Sequence, residues 1–462
     1  MPDAEPVTDE PVTDEPGTDE PGTELTILRQ VHGGRGLARL PDGRIALVTG
    51  GIPGERVRAR LEDRKGVLLG EVTSVLESSP DRVAPPAHPG LALGHIAYAR
   101  QLELKREVVR DALARATGEP VEVGPVTPAP ALWGYRNAVQ PAVGAGLGYR
   151  LPGSEELVAL DSDPTANRGV NEAWAVLRGL GVGGPGGKEP RSASGGTSVP
   201  AGAAQTTSGK PPTRVPRLAE VAIRANDEGE ALVALIGSGP SSAALDLAHR
   251  LVERGISGVS WAPYDPRGRF RGGSEKLTGK RMILQRFGPY PLSVTATTFS
   301  QPNPAAASAL FAELQRWAGS GSAAVELFAG GGAIAMHLAG SYELVTAIEV
   351  DKGAVERGKR DAARLGLHNV ELFRTDARRL DLKPGPELFV VDPPRAGLAA
   401  ELRAGLAAAV TERLLYVSCD VATWARDVAD LQRRGLRLTR FVPYDFYPHT
   451  HHIEVLSLLE RG

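Results

Sequence analysis

A single cysteine, Cys419, closes the apolar run Leu415-Tyr416-Val417-Ser418 and is followed by Asp420. A thiolate at the end of a sheet strand can add to an electrophilic ring carbon, provided neighbouring groups lower its pKa or a base takes its proton. The competing reading is a small buried hydrophobe. Glu454 leads into the apolar run Val455 to Leu459, where a semi-buried carboxylate acquires the raised pKa of a general base. Val390-Val391-Asp392-Pro393-Pro394-Arg395 reads as an apolar strand stopped by two prolines, either a stiff crevice wall or a plain strand terminator. Val325-Glu326-Leu327-Phe328-Ala329-Gly330-Gly331-Gly332 is a strand entering a glycine turn, whose backbone a ligand can approach closely. Nineteen residues after Gly330, Glu349 ends the next strand, where an acid accepts hydrogen bonds from ribose hydroxyls. The pair points to an adenosine-type cofactor; the glycine turn alone would suit a nicotinamide fold equally. His449, His451 and His452 invite a metal reading, but His451 and His452 are expected on opposite sides of a strand and no acid cluster joins them, so no metal is assigned.

These residues need a scaffold. From about residue 320, buried apolar strands alternate with helices, which predicts an α/β, doubly wound, mostly parallel Rossmann-like sheet over 296–462. Ligands in that architecture sit at the carboxyl ends of the strands, beside the point where strand order reverses. Residues 96–115 have an apolar stripe (Leu102, Val109, Leu113) and no Gly or Pro, the pattern of an amphipathic helix. Residues 25–84 hold short β-rich runs separated by turn signals, predicting five strands in a small closed barrel of the oligonucleotide-binding type. Between barrel and sheet lies a central α+β domain, 85–295. Its stretch 181–216 is rich in Gly, Pro, Ser and Thr, the composition of a flexible insertion.

With 42% hydrophobic and 23% charged residues the chain has ordinary globular composition, and no apolar run reaches a membrane-spanning length. No signal peptide is read, so a cytoplasmic protein without a membrane partner is expected. One cysteine rules out an intramolecular disulfide or a cluster held by several thiolates. The net charge of −2 conceals an uneven distribution: residues 1–24 carry nine acids and no Lys or Arg, leaving 53 basic against 46 acidic residues in the rest. The acidic, proline-punctuated tail is expected to be disordered and the body basic. Arg56, Arg58 and Arg60 alternate along a predicted strand and share one face, an array suited to phosphates or to plain solvation. Arg267 to Arg286 holds seven basic residues against one acid, with Arg269 and Arg271 flanking Phe270, a second candidate nucleic-acid surface.

In this order the motifs resemble the bacterial RNA uracil-5 methyltransferases, which form 5-methyluridine with S-adenosyl-L-methionine. The resemblance spans most of residues 25–462: a TRAM-type barrel, a central domain and a methyltransferase domain, with Thr298-Phe299-Ser300-Gln301-Pro302-Asn303, DPPRAG (392–397), YVSC (416–419) and PHT-x-H-x-E (448–454). It implies that Gln301 contacts the methionine end of the cofactor, Phe328 and Gly330 lie in the cofactor turn, Glu349 holds the ribose, Asp376 sits beside the adenine and Asp392 lies between cofactor and base. It makes Cys419 the nucleophile, adding to carbon 6 of a flipped uracil, and Glu454 the base that removes the carbon 5 proton. The implied partner is RNA, ribosomal before transfer, met by a monomer.

The sequence departs from the family in three places. Many relatives hold a four-cysteine iron–sulfur cluster; residues 84–95 and 160–164 match that region without a cysteine, so no iron–sulfur cluster is expected. The family's Cys-Gly-x-Gly-Asn turn is Ala329-Gly330-Gly331-Gly332-Ala333 here, which removes an amide near the cofactor. Asp420-Val421 replaces Asn-Pro after the nucleophile, and a charge there would raise the pKa of Cys419 unless Asp420 points away. A cytosine-5 methyltransferase, an inactive RNA-binding protein and a nicotinamide dehydrogenase remain as alternatives.

Overall fold

The computed structural model describes residues 22–184, 217–267, 270 and 273–462. Residues 185–216 of the insertion, residues 1–21 of the acidic segment, and Arg269 and Arg271 lie outside the described residues. Two compact units divide along the sequence near residue 80.

The first unit is a closed five-stranded barrel: β1 (Thr23–Val31), β2 (Arg35–Arg39), β3 (Ile45–Thr49), β4 (Arg56–Arg64) and β5 (Val67–Glu77), in the order β1-β2-β3-β5-β4 with β4 returning to β1. Alternation builds it: Val57 and Ala59 of β4 point inward and join Leu25, Ile27, Ala46, Val48 and Leu68 in a small core. Arg56, Arg58 and Arg60 take the other face, as their spacing predicts. Arg56 meets Glu77 at 3.3 Å and Arg58 meets Glu24 at 3.2 Å. The tail boundary therefore moves. Glu24 is not part of the tail: it is a residue of β1, paired in register with Arg58, because Leu25 and Ile27 need the strand to start before them to reach the core.

In the second unit, the 20-residue helix α1 (Tyr98–Thr117) ends where Gly118 takes a left-handed conformation at φ 79°. An eight-stranded sheet follows, with strands β6 (Ala138–Val139), β7 (Ala142–Val143), β8 (Leu147–Arg150), β9 (Leu157–Ala159), β10 (Leu218–Ala225), β11 (Ala231–Gly237), β12 (Gly258–Pro263) and β13 (Glu275–Gly279). Helices α2 (Arg168–Gly179) and α3 (Leu245–Glu253) pack on it through Trp174, Leu177, Leu247 and Leu251. A hairpin of β14 (Ile283–Phe287) and β15 (Tyr290–Val294) leads to α4 (Pro304–Ala318).

The C-terminal sheet has β16 (Gly321–Leu327), β17 (Tyr342–Glu349), β18 (Val370–Arg374), β19 (Leu388–Val391), β20 (Arg413–Ser418), β21 (Leu436–Tyr444) and β22 (Glu454–Arg461), ordered β18-β17-β16-β19-β20-β22-β21. Its first five strands are parallel, and β22 runs antiparallel to β20 and β21. Both faces are covered. Helix α4 with α5 (Ala333–Leu338) and α6 (Lys352–Arg364) buries Leu310, Ile334 and Val355 on one face; α1 with α7 (Ala400–Ala409) and α8 (Val421–Arg433) buries Val108, Leu402 and Trp424 on the other. Thus α1, which lies in the span expected for a central domain, packs on this sheet through Val108, Val109, Ala112 and Leu113.

Candidate active site

Strand order reverses around β16, which lies between β17 and β19, and a cleft of about 2080 Å³ opens at the carboxyl ends of these strands. It is lined by Phe328 and Gly330 after β16, Glu349 ending β17, Asp376 after β18, Asp392 and Arg395 after β19, Cys419 after β20, and Glu454 at the start of β22. Gln301 reaches the same cleft from the segment before α4. The catalytic and cofactor residues singled out from the sequence therefore converge on one hollow.

The glycine turn is shaped by conformation. Phe328 adopts φ 63°, a left-handed backbone that costs a bulky residue roughly 1–2 kcal/mol, and Gly330 and Gly332 follow at 56° and 78°. A Cβ at Gly330 or Gly331 would meet no atom within 4 Å and would project into open space. Glu349 fastens the turn: one carboxylate oxygen accepts from the Gly330 amide at 2.8 Å, the other from Val350 and Asp351 at 2.7 and 2.8 Å. Three of its roughly four acceptor positions are filled, leaving one for a ligand hydroxyl. Asp376 is engaged by Arg378, whose guanidinium donates at 2.9 and 2.7 Å and whose backbone N–H donates at 3.1 Å; these bonds hold the carboxyl down at about 2.

The segment carrying Gln301 is fixed from three sides. The Arg224 guanidinium donates to the Thr298 carbonyl at 2.8 Å, the Asn137 amide to the Pro302 carbonyl at 2.8 Å, and the Asn303 side chain to the Phe446 carbonyl at 2.8 Å. Asn303 also caps α4, accepting from the Ala306 amide at 3.1 Å. Beside Gln301, Phe299 is 83% exposed, an aromatic face open to stacking.

Burial dominates the electrostatics of the reacting groups. It pushes the Cys419 thiol up to about 12, with Glu454 and Asp392 adding to the rise and Arg395 opposing it. It likewise pushes Asp392 up to about 7 and raises Glu454 well above the ordinary carboxylate range, where Asp392 adds and Arg395 opposes. At neutral pH the thiol keeps its proton, and the same burial raises the proton affinity of the two carboxyls that act on it. Asp420 turns away: it caps α8 by accepting from the Thr423 amide at 2.9 Å, and the carboxylates acting on Cys419 are Glu454 and Asp392.

The 445–453 segment is a turn and not the strand expected for His451 and His452. The rings of these two histidines lie 4.3 Å apart instead of on opposite sides, because β22 begins only at Glu454 and His449 reverses the chain at φ 67°. His449 stacks on Trp133 with 4.0 Å between ring centres, and its amide donates to Gln101 at 2.9 Å. Lys105 of α1 donates to Asp445 at 2.7 Å with both side chains buried. Burial holds His451 at about 4 and His452 at about 3, so both are neutral.

Three cleft residues escaped the sequence reading. Glu326, buried in β16, accepts from the Ala335 amide at 2.8 Å, and burial raises its pKa well above the ordinary range. Arg136 lies 5.1 Å from the Tyr447 ring centre. Arg224, buried in β10, lines the same cleft. A charged residue inside an otherwise apolar strand, as in VELFA or VAIRA, was the signal that could have found Glu326 and Arg224.

Residues 386–462, which carry Asp392, Cys419 and Glu454, match the tRNA (uracil-5-)-methyltransferase family model. The chain is 30% identical to an uncharacterised RNA methyltransferase of Thermosynechococcus vestitus over 94% of its own length and 97% of that protein. It is also 30% identical to the 23S rRNA (uracil(1939)-C(5))-methyltransferase RlmD of Alkalilimnicola ehrlichii, over 95% of its length and 96% of that protein. The chain belongs to the RNA uracil-C5 methyltransferase family. The crystal structure of the Pyrococcus abyssi tRNA (uracil-54, C5)-methyltransferase in complex with S-adenosyl-L-homocysteine shares the fold of this family member. That comparison has a TM-score of 0.70 at 23% identity and covers 94% of this chain and all of that one. Among the described residues no helix is long and apolar enough to cross a membrane.

Proposed function

We infer that this uracil-C5 methyltransferase modifies carbon 5 of a uridine in ribosomal RNA through a covalent adduct with Cys419, as a monomer in the cytoplasm. The observation that carries the reading is the meeting of Cys419, Asp392 and Glu454 in one cleft, with the two carboxyls acting on the thiol. The ribosomal target rests on the likeness to the Alkalilimnicola ehrlichii protein.

The cleft fits S-adenosyl-L-methionine. Glu349 offers one free acceptor position to ribose hydroxyls, and the bare backbone at Gly330 and Gly331 admits a ligand at close range. The carboxyls of Glu326, Asp392 and Glu349 surround the turn, with Asp392 and Glu349 raising the pKa of Glu326, so a cationic ligand is welcome there. Gln301 is placed for the methionine end. Asp376 serves the adenine edge only if its bonds to Arg378 are exchanged. The cofactor, when bound, supplies an electrophilic methyl group.

The chain's own residues supply the rest. Carbon 5 of uracil is a poor nucleophile; a sulfur–carbon bond from Cys419 to carbon 6 moves an electron pair into the ring as an enolate and makes carbon 5 nucleophilic. Asp392, whose carboxyl is raised by burial to about 7, receives the thiol proton, which leaves Glu454 ionised for the carbon 5 proton. After carbon 5 is alkylated, Glu454 accepts its proton, the ring double bond re-forms and the Cys419 sulfur leaves. Phe299 offers a stacking face to RNA bases at the site where a uridine leaves its stack. The barrel arginines Arg56, Arg58 and Arg60 add phosphate contacts, Arg56 and Arg58 by exchanging Glu77 and Glu24 for RNA. We assign the same role to Arg269 and Arg271.

Methylating 23S rRNA with labelled cofactor and digesting it to nucleosides tests the reading. Label in 5-methyluridine is expected; label in 5-methylcytidine would assign the chain to cytosine chemistry.

A further inference from the structure

Arg224 lies on β10, inside the central sheet, and is only 4% exposed. One guanidinium nitrogen donates to the Thr298 carbonyl, while Nε and the other terminal nitrogen have no hydrogen-bond partner among the described residues. The neighbouring Ser300 hydroxyl is also buried and unpartnered. Unsatisfied donors on a buried cation are costly, and native structures keep them only where a partner completes them. A second cation acts on Arg224. Burial first, and then Arg357 of α6, hold the Arg224 guanidinium down at about 10. Asp351 and Asp361 act on Arg357, but Asp351 already caps α6 through the Ala354 amide and Asp361 already binds Ser293 and Arg364.

Both arginines line the active-site cleft, and this wall continues into a second hollow of about 310 Å³. The two hollows share Arg281, Arg357, Thr297 and Thr298, and the second adds Arg360, Lys276 and Lys280 with Glu356 as its one acid among the described residues. Lys280 is paired with Glu230, whereas Arg281, Arg357 and Arg360 show no ion pair among the described residues. A single carboxylate would need one arginine; a series of cations leading from the cleft to an adjoining hollow suits a chain of regularly spaced anions.

We propose that Arg224 and Arg357 form a phosphodiester-binding site for the RNA strand beside the target uridine, with Arg281 and Arg360 continuing its track. This rests on the RNA methyltransferase reading and adds where the strand enters. Arg224 serves a double purpose: its bond to Thr298 sets the segment bearing Phe299 and Gln301, and its remaining donors meet a phosphate that approaches as that segment adjusts.

The test measures binding without turnover, so that its failure is separate from failure of the uracil reading, which the wild-type nucleoside product decides. Affinity for a fluorescein-labelled 12-mer of oligouridylate is followed over a salt series, alongside calorimetric binding of S-adenosyl-L-methionine. Arg224→Gln is expected to weaken oligouridylate binding roughly tenfold or more and to reduce the slope of log affinity against log salt by about 0.7, a larger loss than any it causes in cofactor affinity through the Gln301 segment. Arg357→Gln, at a partly buried position of α6, is expected to reduce the slope by the same amount with cofactor affinity unchanged, and decides the matter if Arg224→Gln does not fold. Lost cofactor affinity with intact oligouridylate binding would assign the donors to the cofactor's carboxylate and overturn the proposal. Unchanged oligouridylate affinity in both variants would overturn it as well.

Discussion

The residues that react are held in the protonation states they do not use. Cys419 is pushed up to about 12 and Asp392 to about 7 by the same burial, so their chemistry depends on proton exchange inside the cleft. A stability consequence follows from Asp392. Its folded pKa lies above the unfolded carboxylate value near 3.9, so between those limits the folded state binds more protons and stability falls as pH rises toward 7. Asp392→Asn removes this titration. Thermal melting of the ligand-free protein should show the variant gaining on wild type between pH 5 and pH 8, by on the order of a few kcal/mol; parallel melting curves across that range would contradict the burial of a titrating carboxyl. Residue types and spacing disclosed Cys419, Glu349, Asp392 and Glu454. They did not disclose that Glu326 and Arg224 are buried, because one charged residue in an apolar strand reads equally well as an outward-facing position.

At the level of elements, the doubly wound sheet was legible because buried parallel strands are continuous apolar runs, and the barrel because its alternation and turn signals are local. The packing of α1 on the C-terminal sheet was not, since an amphipathic stripe names a face and no partner. The turn before β22 was equally hidden: its shape comes from contacts distant in sequence, chiefly Lys105 with Asp445 and Gln101 with His449. Lys105 sits on the apolar side of α1, and that position was the readable trace of its burial. Lys105→Met leaves Asp445 as an uncompensated buried charge and should destabilise the protein by about 3–5 kcal/mol in denaturant unfolding. Loss below 1 kcal/mol would mean that the ion pair does not hold the turn that delivers Glu454.

For the whole molecule the uneven charge matters more than its sum. Eight acids precede residue 22, while the cleft and its adjoining hollow present arginines. An acidic segment on a basic protein is expected to compete with RNA for basic surface, most strongly where screening is weak. Deleting residues 1–21, which leaves β1 intact, should tighten RNA binding at low salt and lose its effect near 0.5 M; an unchanged low-salt affinity would leave the segment without an electrostatic role. In the proposed reaction, protein and RNA are joined by one bond between the Cys419 sulfur and carbon 6 of uracil. The direct measurement is denaturing electrophoresis of the Glu454→Gln protein after incubation with S-adenosyl-L-methionine and 23S rRNA fragments. Glu454→Gln cannot take the carbon 5 proton, so a protein–RNA adduct should accumulate, and the added Cys419→Ala substitution should abolish it. Normal release of 5-methyluridine from Glu454→Gln, or methylation by Cys419→Ala, would contradict the account.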